Sequence, residues 1–155
     1  MNGGTRTVSL TGNDTIVIAG RVLNDLADEN NVELTFPNEL MSVKTGKNGN
    51  SIYAFNATGR QCDLKINAIR GSEDDRFLNE LLQQMIADPA SFPLLTGQLV
   101  KRTGDGFGNI THDTYIVSGG VFTKQPGATS NVSGDTTQAV VSYEIKCTNA
   151  QRAIF

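Results

Sequence analysis

Residues 61–69 alternate without a break, placing Cys62, Leu64, Ile66 and Ala68 on one face of an extended chain and Gln61, Asp63, Lys65 and Asn67 on the other. A period of two does not fit a helix, and it demands a sheet with one buried and one wet face. The pattern returns over residues 137–147, where Ala139, Val141, Tyr143, Ile145 and Cys147 oppose Gln138, Val140, Ser142, Glu144 and Lys146. A strand that long belongs at the centre of a sheet.

Other segments add to a β-rich chain. Val32-Glu33-Leu34-Thr35-Phe36 alternates until Pro37 removes an N–H from the ladder. Ser42-Val43-Lys44-Thr45 and Ser51-Ile52-Tyr53-Ala54-Phe55 flank Gly46-Lys47-Asn48-Gly49-Asn50, which predicts an extended hairpin over 42–55 because Asn-Gly tolerates positive φ. Residues 7–10 and 15–18 read as two short strands or one bulged strand, and further strands are expected at 94–102, 114–118 and 121–124. Residues 20–31 read as an acidic loop, 104–109 and 125–135 as turn-rich connectors, and 1–6, with Gly3 and Gly4, as a flexible arm.

One helix is predicted over 72–88. Ser72 is its N-cap, and Glu73, Asp74 and Asp75 crowd the positive end of the helix dipole, with Asp75 standing where a capping box has Glu or Gln. Phe77, Leu78, Leu81, Leu82, Met85 and Ile86 share one face that the sheet must cover, and Asp88-Pro89 ends the run.

The 155 residues suit one domain, 1–155. A formal charge of −3 with 19% charged residues provides no basic footprint for gripping phosphates. Asp25, Asp28, Glu29, Glu33 and Glu39 lie between positions 23 and 41 with no Lys or Arg among them, which predicts a negative patch. Neither a secretory leader nor a membrane-length apolar run stands out, so the expectation is a soluble protein made in a cytosol. Cys62 and Cys147 then read as reduced core thiols, and the Asn-x-Ser/Thr triplets at Asn13, Asn56, Asn109 and Asn131 as by-products of composition.

Candidate chemistry is thin. His112 beside Asp113 could orient a general base, but no Gly-x-Ser-x-Gly elbow supplies a nucleophile. Gly104-Asp105-Gly106-Phe107-Gly108 lacks the Lys-Ser/Thr of a phosphate loop and reads as a hairpin tip. Helix capping accounts for Glu73, Asp74 and Asp75 without a metal. The expectation is no enzyme, no cofactor and no metal.

Taken together, the 32–37 strand, the 42–55 hairpin, the 62–68 strand and the Ser72-capped helix resemble the tail tube proteins of contractile-tailed bacteriophages (myoviruses), which are similar to secretion-system tube proteins. The resemblance implies a mainly β fold with one α-helix, of β-sandwich or barrel type, whose inner sheet joins those of its neighbours into a ring. It implies hexameric rings stacked into a hollow tube for DNA delivery, with sheath, baseplate and tail terminator proteins as partners, no membrane, and a place in the virion after synthesis in the host cytoplasm. On that basis Lys44, Lys47, Asn48, Asn50, Tyr53 and Phe55 of the hairpin are contact candidates against Asp25, Asp28, Glu29 and Glu39 of a neighbour. Asp63, Asn67 and Glu144 are lumen candidates. The alternatives are a secretion-system or baseplate tube-like ring protein, or a small β-sandwich binding module, for which the absence of Trp and the 6% aromatic content are a poor match.

Overall fold

A computed structural model describes residues 9–10, 14–27, 31–128, 130 and 139–155. The 1–6 arm, Asp28, Glu29, the Asn13 and Asn131 triplets and the first positions of the 137–147 pattern lie outside the described residues. In chain order the strands are β1 (Ser9–Leu10), β2 (Thr15–Ile18), β3 (Arg21–Val22), β4 (Val32–Thr35), β5 (Met41–Thr45), β6 (Ser51–Phe55), β7 (Cys62–Ile69), β8 (Leu95–Gly104), β9 (Ile110–Lys124) and β10 (Val140–Ile154). The α-helix α1 (Glu73–Ala87) follows β7, and short 3-10 turns occupy Ala57–Arg60 and Pro89–Ser91.

Eight strands form one antiparallel sheet, in the order β3-β2-β8-β9-β10-β7-β4 with β1 also on β8; β5 and β6 pair only with each other. The two alternating segments are direct neighbours: Cys62 to Ile69 lie opposite Cys147 to Val140, so their apolar faces add to one core. Tyr143, Ile66, Cys62 and Cys147 are fully buried there, with Ile18 of β2, Phe122 of β9 and Leu95 of β8 closing over them.

The sheet is curled into a barrel. Val22 pairs with Val17 on β2, and Leu26, four residues on, bridges Ala68 on β7. In a flat sheet β3 and β7 would stand five spacings apart, roughly 24 Å. Four residues reach at most about 14 Å. Hydrogen bonds from Ala27 N to Asn67 O (2.9 Å) and from Ile69 N to Asp25 O (3.0 Å) complete the closure. Residues 20–31, expected as loop, thus carry a short strand and the closing bridge. The turn into β3 is Ala19-Gly20 with φ of 51° and 84°, a two-residue I′-like turn without the usual Asn-Gly signal.

Helix α1 lies over the barrel. Ser72 Oγ accepts from Asp75 N at 3.2 Å, while the Asp75 carboxylate accepts from Gly71 N at 2.8 Å, one residue before the partner a capping box uses. Leu78 and Leu82 are buried, and Phe77, Leu81 and Met85 pack on the core. Ile86, expected on this face, is exposed, because it stands at the end of the helix past Met85, the last helical residue packed on the core.

Asp74 departs from its expected capping duty. It is 1% exposed and accepts from Arg21 Nε at 3.1 Å and from the backbone N–H groups of Asn24 and Asp25. Arg21 also stacks 5.4 Å above the Phe77 ring. One carboxylate therefore ties the helix N-terminus to the barrel-closing segment.

Two strands expected at 114–118 and 121–124 are the single strand β9. The register against β8 slips by one residue between Leu95 and Gly97, and Gly119 takes up the slip at φ 68°. A side chain there would collide with Thr148 Oγ1, so only glycine lets the strand run on. β8 likewise starts at Leu95, leaving Leu94 exposed, and continues to Gly104 rather than stopping at Arg102.

Candidate functional site

The wet face of β4, β7, β10 and β9 holds the three lumen candidates. In register across the strands, Glu33 lies opposite Lys65, Lys65 opposite Glu144, and Glu144 opposite Lys124, a row of alternating sign. The Lys124 Nζ to Glu144 Oε2 distance is 3.7 Å. One step along, Thr35 lies opposite Asp63 and Asp63 opposite Lys146; beyond Lys65, Ser142 Oγ donates to Asn67 Oδ1 at 2.6 Å. Opposed side chains sit about 4.5–5.5 Å apart at Cβ, near enough for each charge to offset the next. A shallow depression of about 390 Å³ runs over Glu33, Asp63, Lys65, Glu144 and Lys146. Its carboxylates and the surrounding ammonium groups balance, and the face as a whole is polar and neutral.

This arrangement corrects one expectation. Glu33 belongs to the neutral row beside Lys65, not to a continuous negative patch running from position 25 to 39. Asp25 and Glu39 are exposed on separate segments, at the barrel closure and before the hairpin.

The β5–β6 hairpin has a fixed root and an open blade. At the root, Asn56 N donates to Leu40 O at 2.7 Å, and Asn56 Oδ1 caps the 3-10 turn by accepting from Thr58 N and Oγ1 at 3.1 and 2.7 Å. Buried Gly59 leaves no room for a Cβ, which would lie 2.8 Å from Leu40 Cα. In the blade, Met41 opposes Phe55 and Val43 opposes Tyr53 on one face, while Lys44 opposes Ile52 on the other. Every strand residue is exposed, Ile52 by 72% and Tyr53 by 68%. The tip is held by Gly46 N to Asn50 O at 2.7 Å and by Gly49 at φ 83°, and it projects Lys47, Asn48 and Asn50. No ion pair among the described residues joins Lys44 or Lys47 to Asp25 or Glu39.

Sequence reasoning named the hairpin for its charged tip and its rings. It passed over Met41 and Val43, whose alignment with Phe55 and Tyr53 appears only once the strands are registered. Glu33, Lys124 and Lys146 were not singled out beside Asp63 and Glu144 for the same reason: a cross-strand row has no signature along the chain.

The remaining candidates are occupied by structural work. Asp113 is held by Arg152, whose Nε and Nη2 donate to its two oxygens at 2.8 Å each, and these bonds keep its carboxyl below the usual range. His112 is exposed, and its backbone pairs with that of Phe155. Asp105 accepts from Asn109 Nδ2 and Phe107 N, both at 2.8 Å, which lowers its pKa and shapes the β8–β9 turn. Among the described residues no cluster of His, Cys, Asp or Glu could hold a metal, and no helix is long and apolar enough to cross a membrane.

No protein-family model and no curated protein matches the chain. Its fold is shared with solved components of contractile injection systems. The sheath/tube terminator of an extracellular contractile injection system (PVC), seen by cryo-EM in the extended state, superposes with a TM-score of 0.53 at 11% identity over 94% of both chains. A chain of the PVC sheath-tube complex in the extended state superposes with a TM-score of 0.52 at 10% identity over 92% of this chain and 87% of that one. At such identities the likeness is one of fold: a mainly β, one-helix barrel of the kind found in contractile tails.

Proposed function

We propose that the chain is a structural tail protein that self-assembles into stacked hexameric rings, forming the hollow inner tube of a contractile tail through which DNA is delivered. The observation that carries this reading is the apolar hairpin blade, with Met41, Val43, Tyr53 and Phe55 exposed together on one face. A lone two-stranded hairpin is marginal in water, and an aligned apolar face of this kind marks a surface meant for a neighbour. Lys44 and Lys47 at the blade and Asp25 and Glu39 elsewhere, none paired with one another within the described chain, supply complementary charge that would set register more than strength. In this reading the neutral face around Asp63, Asn67 and Glu144 lines the lumen, where balanced charge lets a polyanion slide without adhering. Sheath, baseplate and terminator proteins are the partners, in a virion assembled in a host cytoplasm.

A terminator-like ring is the second reading, favoured by the even 94% coverage of both chains in the superposition on the PVC terminator. A tube protein forms long polymers, whereas a terminator stops at a ring.

Sedimentation velocity on wild type and Tyr53→Asp tests the hairpin contact. The variant is expected to stay monomeric at concentrations where the wild type assembles, with an unchanged far-UV spectrum. Equal assembly of the two would refute the contact.

A further inference from the structure

Cys62 and Cys147 are 85 positions apart in sequence but directly opposed on β7 and β10, both almost wholly buried. Opposed residues in an antiparallel pair have Cα atoms about 4.5–5.5 Å apart, inside the window of roughly 4.4–6.8 Å that a disulfide requires. The neighbouring thiols shift each other: Cys147 lowers the pKa of Cys62, while Cys62 and burial together raise that of Cys147. On the far side of Cys147 stands Gly120 of β9, where a Cβ would lie 3.1 Å from Cys147 Sγ, so the absent side chain makes room for the sulfur.

The place of the pair in the ladder matters as much as its geometry. Cys62–Cys147 is the last rung of the β7–β10 pairing; β7 begins at Cys62 just after the Ala57–Arg60 turn, and β10 runs on to Ile154 without β7. Fraying at a ladder end requires far less than global unfolding, so this rung can meet a small reagent while the rest of the core stays closed.

We propose that Cys62 and Cys147 form a redox pair that closes into a disulfide, stapling β7 to β10, when the folded protein meets a disulfide oxidant such as oxidised glutathione. Cys62 acts first: its thiolate attacks one glutathione sulfur and displaces a glutathione thiolate, leaving a mixed disulfide. Cys147 then gives up its proton, attacks Cys62 Sγ and displaces the second glutathione thiolate. Two protein thiols are oxidised, one glutathione disulfide is reduced, and the two protons end on two glutathione thiols. The new bond joins the strands that carry Asp63 and Glu144 and closes a long loop in the unfolded chain, which favours the folded state.

The test uses the full chain, made reduced and incubated folded with oxidised glutathione. Expected are loss of both thiols to a thiol reagent added after denaturation, an intact mass lower by two hydrogen atoms, a pair of digest peptides joined through Cys62 and Cys147 that separates on reduction, and a higher urea midpoint that dithiothreitol returns to its starting value. Cys147→Ser should stop at a glutathione adduct on Cys62. Two free thiols in the folded protein after prolonged incubation, stable double glutathione adducts, or cross-linking only between chains would overturn the proposal.

Discussion

Ala19 is the one non-glycine residue with positive φ among the described residues, and nothing in Ile18-Ala19-Gly20-Arg21 announces it. A left-handed alanine costs about 1–2 kcal/mol, a penalty that asparagine largely avoids in a turn of this type. Ala19→Asn is therefore expected to raise stability by about 0.5–1 kcal/mol in urea denaturation, without altering assembly. Asp74 shows the opposite case, a residue whose sequence context suggested an exposed helix cap while its burial makes it a structural tie. An amide in its place keeps the shape but must turn its NH2 either toward both backbone N–H groups, which share Oδ2, or toward Arg21 Nε, which donates to Oδ1. Asp74→Asn is expected to lose about 2–4 kcal/mol, read from the same denaturation curves. Capping is local and can be seen along the chain; a bond to a segment fifty positions away cannot.

The elements were legible where one face of each is buried. β4, β7, β10 and α1 were each readable from periodicity because the core selects their side chains at a fixed interval. β9 was not, since Gly119-Gly120 looks like a break and becomes continuous only because Thr148 on β10 tolerates a glycine alone. Gly119→Ala should therefore destabilise by about 2 kcal/mol or more, combining the Thr148 collision with positive φ, and circular dichroism melting would show the lowered midpoint. The β5–β6 hairpin was readable from its turn, yet among the described residues the contact of Arg60, 5.6 Å over the Phe55 ring at the root of the blade, does not explain the blade's apolar face. If Lys47 meets acidic residues of a neighbour, Lys47→Glu is expected to slow assembly and flatten its dependence on salt, measured by light scattering, while leaving the melting curve within about 0.5 kcal/mol of wild type.

At the scale of the whole molecule, two properties stand together: a barrel closed by a short segment pinned to the helix through Asp74, and surfaces that the closed barrel leaves unused. In the proposed reading the apolar hairpin blade meets a neighbour, and the neutral face of Glu33, Lys65, Glu144 and Lys124 forms the wall of a passage. Neither is visible in composition, which records only a mildly acidic chain. The lumen candidates Asp63, Asn67 and Glu144 were legible as a wet face because alternation assigns faces, but their charge balance needed the strand register. The same register brought Cys62 and Cys147 together, a pairing that their separation in sequence conceals. Self-assembly is the claim on which the functional reading rests, and electron microscopy of the purified chain over a concentration series tests it most directly. Hollow rings of six subunits that stack into tubes are expected, or, in the terminator reading, rings that do not stack. Particles that remain monomeric at the highest concentration would contradict self-assembly.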